Sequence, residues 1–464
     1  MYCLGGSFMK VILLSGGSGK RLWPLSNDSR SKQFLRLLQT DNQQLQSMVQ
    51  RVWKQLKLAG LSESSVIATG KSQVDIMQNQ IGTEVPIIVE PESRDTFAAI
   101  ALSVAYLYSI KGVSSQEIVT ILPIDSFVEN KFYNNLKSLE NILLETTADL
   151  ALIGVKPSYP SAKYGYIIPE KNIENEGILQ VSHFVEKPEP TQALKLIEQN
   201  ALWNCGVFSL KIDFILSLLQ KMNLPIQYEE LLNKFNQIPK NSFDYEVVEK
   251  LNNIVALQYD GEWKDLGTWN TLTEEMSSKQ VGTGIMCPNS SNTHLINELD
   301  IPVAVMGINN AIIAASPDGI LVADKTASTD IKALISHIGK RPMYEERRWG
   351  WYKVLDHFRN DNGEEILTKR ICVSAGKNLS YQKHFKRSEV WTIVQGEGYF
   401  VINDCIQTVI EGSVLEIPLG AKHAIKAVTD LEFIEVQKGS ELIEEDIYRI
   451  SLDWDEILMQ CTQI

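Results

Sequence analysis

The sequence predicts an α/β domain built on a doubly wound, mostly parallel sheet, followed by a small β-rich connector and a C-terminal β-barrel. Three observations carry this. Short apolar runs alternate with helical segments in the first third of the chain, the texture changes near residue 281, and short strands with turns dominate after residue 350. Length agrees, because 464 residues exceed what one hydrophobic core organises.

Apolar runs at residues 11–14, 66–68, 87–89, 118–122 and 150–155 read as buried strands. The segments between them have helical periodicity. Residues 96–108 are the clearest, with Asp95 standing where an N-cap belongs. The β/α character continues less regularly, with a strand at 207–210, and the first domain is expected over residues 9–276. Residues 281–338 carry strand-like pieces at 303–305, 311–314 and 319–322 among Asn, Ser and Gly, and end in a short helix near 331–338. The last domain is expected over residues 347–445, with turns such as Gly396-Glu397-Gly398 joining the strands of an antiparallel barrel or sandwich.

Composition narrows the function. Hydrophobic residues make up 44% and charged residues 22%, an ordinary globular balance. No apolar run reaches the roughly 18–20 residues of a membrane span, and residues 1–8 lack the pattern of a secretion signal. Six scattered cysteines (Cys3, Cys205, Cys287, Cys372, Cys405, Cys461) form no Cys-x-x-Cys pair, which fits a reducing cytoplasm. A net charge of −13 disfavours nucleic acid, and requires local cations wherever a phosphate is to be held.

Directly after the first strand come Gly16, Gly17, Ser18, Gly19, Lys20 and Arg21. Glycines let backbone N–H groups crowd around phosphate oxygens, and the two cations add charge beside them. A plain strand-to-helix turn has the same composition, so the loop alone leaves both readings open. It is no Walker A loop, since Leu14 replaces the first glycine and Arg21 the Ser or Thr. It is no dinucleotide fingerprint either, since Leu22 replaces the third glycine.

The wider pattern resembles the bacterial mannose-1-phosphate guanylyltransferases of the long type, many of them fused to a mannose-6-phosphate isomerase domain. The motifs occur in order: residues 16–26, Ser31-Lys32-Gln33-Phe34-Leu35, Glu90-Pro91 with Arg94-Asp95-Thr96, Leu122-Pro123-Ile124-Asp125, and Tyr164-Gly165-Tyr166-Ile167. Phe184-Val185-Glu186-Lys187-Pro188, Trp203-Asn204-Cys205-Gly206, Phe243-Asp244-Tyr245 and Asp265-Leu266-Gly267-Thr268-Trp269 follow.

The resemblance implies a Rossmann-like nucleotidyltransferase domain that transfers GMP from GTP to mannose 1-phosphate, giving GDP-mannose and pyrophosphate for polysaccharide or glycoconjugate precursors. Gly16, Gly17, Ser18, Gly19, Lys20 and Arg94 are assigned to the nucleotide. Arg21 and Lys32 face the phosphates, and Asp125 and Asp265 hold Mg²⁺. Lys187 pairs with the sugar phosphate, while Gly165, Glu186 and Asn204 line the sugar pocket. Two departures stand out: Lys20 replaces the usual Thr, and Ser126 follows Asp125 where the family has His.

In the last domain Gly376, Gln382, His384, Glu389 and Gly396 fit the first cupin motif, except that Gln382 stands in place of its first histidine, and Gly412, Pro418, Gly420 and His423 fit the second. Gln382, His384, Glu389 and His423 are therefore expected to hold Zn²⁺ or another divalent ion. Active fused enzymes carry a second histidine near the Gln-x-His and a His-Arg pair after Pro-x-Gly. Here Phe385-Lys386 and Ala424 occupy those places, so an isomerase and a structural or regulatory barrel both stay open. The remaining alternative is a catalytically silent regulatory homologue. The expected partners are GTP and mannose 1-phosphate, with neither nucleic acid nor membrane, and a homodimer or higher homo-oligomer is left open.

Overall fold

A computed structural model of the chain describes residues 9–17, 19–40, 42–175, 177–335, 341–443 and 446–463. The chain divides into two compact units. One comprises residues through 22, 26–279 and 324–332, and the other 23–25, 280–323 and 333–464.

The first unit is organised by a nine-stranded sheet. Its order is Ile87–Glu90, Ser65–Gly70, Lys10–Ser15, Ile118–Pro123, Leu202–Lys211, Leu150–Val155, Ile254–Tyr259, Ile178–Val185 and Tyr166–Asn175. The first four strands run parallel, with Val11 opposite Ser65 on one side and Thr120 on the other. Leu202–Lys211 enters antiparallel between two parallel groups, and the last two strands form an antiparallel edge. All the apolar runs of the sequence reading lie on these strands.

Helix Asp95–Ser109 packs on the sheet through a face that is apolar nearly all round, from Phe97 and Ile100 to Val104 and Leu107. Asp95 is the first helical residue rather than the cap before it. Its φ is 67°, and its carboxylate accepts the N–H of its neighbour Thr96 at 2.7 Å instead of one a turn later. Among the described residues no helix is long and apolar enough to cross a membrane.

In the second unit, Gln280–Gly282, His294–Asn297 and Ala311–Ser316 stack as parallel rungs, as do Gly284–Met286 and Val303–Val305. The strand-like pieces of the sequence reading are thus strands, but of a parallel coil that local alternation does not reveal. The short helix is Ile331–Leu334, and residues 336–338 of the expected one lie outside the described residues.

The barrel is two six-stranded sheets. In the first, Arg387–Gln395 pairs with Leu431–Gly439 and Val414–Ile417, and in the second, His423–Ala427 pairs with Gly398–Ile402 and Tyr381–Lys383. Alternation sorts the inward residues. Trp391, Ile393, Phe433 and Leu431 form one apolar interior, whereas Arg387, Glu389, Glu435 and Gln437 are also buried on the same strands.

Candidate active site

The strand Lys10–Ser15 is locked at its end by the Thr69 hydroxyl, which donates to the Ser15 carbonyl at 3.0 Å. The glycine loop then turns with φ 91° at Gly17 and 56° at Gly19. A Cβ on Gly19 would lie 2.5 Å from the Lys32 nitrogen, so only glycine fits there. The Gly17 carbonyl accepts from Ser31 Oγ (2.6 Å) and Gln73 Nε2 (3.1 Å), and the Gly19 carbonyl from Ser26 Oγ (2.6 Å). Carbonyls that would repel an anion are thereby turned into the domain, while Gly16 and Gly17 stay exposed. Ser18, assigned to the nucleotide from sequence, lies outside the described residues.

Asp125 follows the strand Ile118–Pro123, and the N–H of Ile124 continues the ladder to the Leu14 carbonyl at 3.0 Å. Ser126–Val128 pairs with Trp263–Asp265, placing Ser126 opposite Asp265. Arg51 and Gln55 of helix Met48–Leu58 hold this small ribbon through the Val128 carbonyl, at 2.9 and 3.0 Å.

Two aspartates 140 residues apart in sequence thus meet at one cation, with Lys32 Nζ 2.9 Å from Asp125 Oδ2 and 2.8 Å from Asp265 Oδ1. Burial works to lower the Lys32 pKa, but the two carboxylates outweigh it and hold the ammonium charged. Burial likewise works to raise Asp265, and Lys32, Arg21 and Lys163 together bring it below the usual carboxylate range. A Cβ on Gly267 would come 3.0 Å from Asp265 Oδ1, which keeps that turn free of side chains. Carboxylates that converge on one cation within 3 Å are a donor set suited to a divalent ion.

Beside them opens a cavity of about 220 Å³. Lys32, Asp125, Gly165, Glu186, Asn204 and Asp265 all line it, so the structure brings together six of the fourteen residues that the sequence assigns to this domain's site. The Asn204 N–H donates to the Gly165 carbonyl (2.9 Å), its Oδ1 accepts the Gly206 N–H (3.0 Å), and its Nδ2 donates to Asp244 Oδ1 (2.8 Å). Gly165 is required because a Cβ would lie 2.5 Å from Glu186 Oε2. Burial raises the pKa of Glu186, and raises Asp244 to about 7 with the Glu186 carboxylate adding to it.

The glycine loop is not part of this lining, and four assigned charged residues also stand apart from it. Lys187 reaches Glu186 at 2.5 Å and is half-exposed. Arg21 is exposed, near enough to act on Asp265. Lys20 pairs with Asp28 at 3.0 Å on the surface. Arg94 donates Nε to the Ile238 carbonyl (2.8 Å) and Nη1 to Glu92 (2.7 Å), so its guanidinium braces a turn rather than facing the cavity.

The cavity also has Lys163, Tyr164, Trp263 and Asp244 in its wall; Tyr164 and Asp244 stand in motifs quoted from the sequence without a role, and Lys163 and Trp263 lie outside those motifs. Trp263 was within reach of reasoning, since it shares a strand face with Asp265 two residues on. Asp244 was not, because its role appears only when the short helix Phe243–Glu246 meets Asn204.

In the barrel, ring nitrogens of His384 and His423 and a carboxylate oxygen of Glu389 lie within 4.8 Å of one another, all buried. His384 Nδ1 donates to the Asp446 carbonyl (2.5 Å) and His423 Nδ1 to the Ala421 carbonyl (3.0 Å), so each turns an unprotonated Nε2 inward, that of His384 facing Arg387 Nη2 at 3.4 Å. The buried His423 Nε2 has no hydrogen-bond partner, as expected of an atom made for a metal. Gln382 is turned differently from expectation. Its Oε1 accepts from Ser380 Oγ at 2.6 Å and its Nε2 faces His384 at 3.4 Å, so it joins the ligands only by rotating its amide. Arg387, buried, donates Nε to Glu389 Oε1 at 2.8 Å. Ala424 faces the opposite side of its strand from His423, packed with Trp454 and Ile457.

Comparison with known proteins agrees with this layout. The nucleotidyl transferase family model matches residues 10–280, and the mannose-6-phosphate isomerase C-terminal model matches residues 339–452. A putative mannose-1-phosphate guanylyltransferase of Vibrio cholerae is 29% identical over 94% of this chain and 98% of its own. The xanthan biosynthesis protein XanB of Xanthomonas campestris is 30% identical over 94% and 97%. The alginate biosynthesis protein AlgA of Pseudomonas aeruginosa is 28% identical over 95% and 96%. Among solved structures, a mannose-1-phosphate geranyltransferase from Thermus thermophilus, at 23% identity and a TM-score of 0.58, covers 72% of this chain and all of its own, which shows a shared fold.

Proposed function

Because the chain belongs to the nucleotidyl transferase family and ends in a domain of the mannose-6-phosphate isomerase C-terminal type, we propose that it transfers GMP from GTP to mannose 1-phosphate. The observation that carries this reading is the meeting of Lys32, Asp125 and Asp265 at the mouth of a cavity lined by Gly165, Glu186 and Asn204.

A phosphate oxygen of mannose 1-phosphate attacks the α-phosphorus of GTP, and the bond to the β-phosphate oxygen breaks to release pyrophosphate. Such a transfer rests on positioning and on neutralising charge at the equatorial and leaving oxygens. Exposed Gly16 and Gly17 receive the triphosphate, and Arg21 meets the charge that develops toward the leaving group. Lys187 meets the sugar phosphate, while Glu186, held by Lys187, and Asn204, held by Asp244, accept and donate to sugar hydroxyls. Asp125 and Asp265 would hold Mg²⁺, which would supply positive charge to offset that of the phosphates. The substrates and the free thiols of Cys205, Cys287, Cys372, Cys405 and Cys461 fit the cytoplasm.

The test is pyrophosphate release from each of GTP, ATP, UTP and CTP with mannose 1-phosphate or glucose 1-phosphate. GTP with mannose 1-phosphate is expected to be the preferred pair, and no turnover with it overturns the reading. A second reading is favoured by the bare Nε2 of His423 beside His384 and Glu389: the barrel holds Zn²⁺ and interconverts mannose 6-phosphate and fructose 6-phosphate. The metal would polarise the substrate oxygens while a base moves a proton between C1 and C2. Conversion by zinc-loaded protein supports the bifunctional form, and its absence leaves a structural or regulatory barrel.

A further inference from the structure

We infer that Lys32 is a resting counter-cation: in the ligand-free protein its ammonium stands where a divalent ion sits between Asp125 and Asp265, so that metal and phosphate bind as a coupled pair. This rests on the reading above in one respect, that these two aspartates are the metal's carboxylates.

The geometry allows little else. Nζ is 2.9 Å from one carboxylate and 2.8 Å from the other, and a divalent ion held by the same two carboxylates would have to lie between them, where the ammonium lies. Two cations do not share that space, so the ion enters only as the ammonium leaves. The ammonium cannot leave with its backbone. Lys32 N is wedged against Gly19, and the turn Lys32–Phe34 is anchored by Phe34, which is fully buried. Its side chain is free to swing on four rotatable bonds. The place it can reach is set by that same contact, since Gly19 belongs to the loop that receives phosphate. An anion on the loop therefore draws the ammonium off the aspartates, and the bared aspartates take the metal. By linkage the metal favours the anion to the same degree. A site that binds metal poorly until phosphate arrives also avoids leaving two partly exposed carboxylates side by side without a cation.

The experiment is calorimetric titration of Mg²⁺ into full-length protein without nucleotide. Wild type is expected to bind weakly, and Lys32→Met at least about tenfold more tightly. That gain is expected to vanish in Lys32→Met/Asp265→Asn, which separates this site from the barrel. Saturating inorganic phosphate is expected to tighten Mg²⁺ binding in wild type and to leave Lys32→Met unchanged. As a second variant, Lys32→Gln is read by thermal unfolding, where Mg²⁺ should raise its Tm more than that of wild type. Equal Mg²⁺ affinity in wild type and both variants overturns the inference. So does phosphate tightening that survives loss of the ammonium. None of these readouts uses turnover, so a failure to make GDP-mannose would overturn the proposed reaction and leave this result standing.

Discussion

Single residues at this site do their work through charges they share. Asp265 is held ionised by Lys32, Arg21 and Lys163 against the cost of its own burial. Asp265→Ala and Arg21→Ala are each expected to lower turnover with GTP and mannose 1-phosphate by about an order of magnitude or more, read from initial pyrophosphate release. Near-wild-type rates in either would move the site elsewhere.

Asp244 behaves in the opposite sense, since burial and the Glu186 carboxylate raise it to about 7. The folded protein therefore holds this proton over a pH range in which the unfolded chain has released it. Stability from this group is present at low pH and declines as pH rises from the ordinary carboxylate range through 7. Asp244→Asn is expected to flatten that decline, so the Tm lost by wild type between pH 5 and pH 8 should shrink by about 2 °C or more. An unchanged decline would show that Asp244 does not carry the proton.

At the scale of elements, the glycine loop and the Ser126–Val128 and Trp263–Asp265 ribbon bring their residues to one sheet edge. The loop contains two kinds of glycine. Gly19 needs both its positive φ and the absence of a Cβ, whereas a Cβ on Gly16 meets nothing within 4 Å. Gly19→Ala is therefore expected to cost about 1–3 kcal/mol of stability and most of the activity. Gly16→Ala should stay within about 0.5 kcal/mol in denaturant unfolding. Equal effects at the two positions would mean that the contact with Lys32 does not constrain the turn.

The same scale explains the departures in the barrel. Phe385 is exposed and Ala424 faces away from the histidines, so neither substitution opens a hole in the ligand cluster. The cluster remains a pair of neutral imidazoles with one carboxylate, which suits zinc. His423→Ala should reduce bound zinc from about one per chain to near zero by elemental analysis. Retained zinc would place the metal elsewhere.

Across the whole molecule, strand positions and the order of chemical motifs were legible in the amino-acid sequence. Apolar runs at 11–14, 66–68 and 118–122 are local facts, and a buried parallel strand needs only local apolarity to be recognised. The motifs around Asp125, Glu186 and Asp265 belong to the same class, because each is a contiguous string. Who meets whom was decided by the tertiary structure. The packing of helix Phe243–Glu246 brings Asp244 to Asn204, and the ribbon brings Asp125 to Asp265 with Lys32 between them. It also takes Arg94 to the Ile238 carbonyl and turns the Gln382 oxygen to Ser380. Hydrophobic period and turn chemistry act over a few residues, and so a chain announces its elements and motifs in its own sequence. A charge's partner is chosen by pairings across tens to hundreds of residues, and only the folded chain makes that choice.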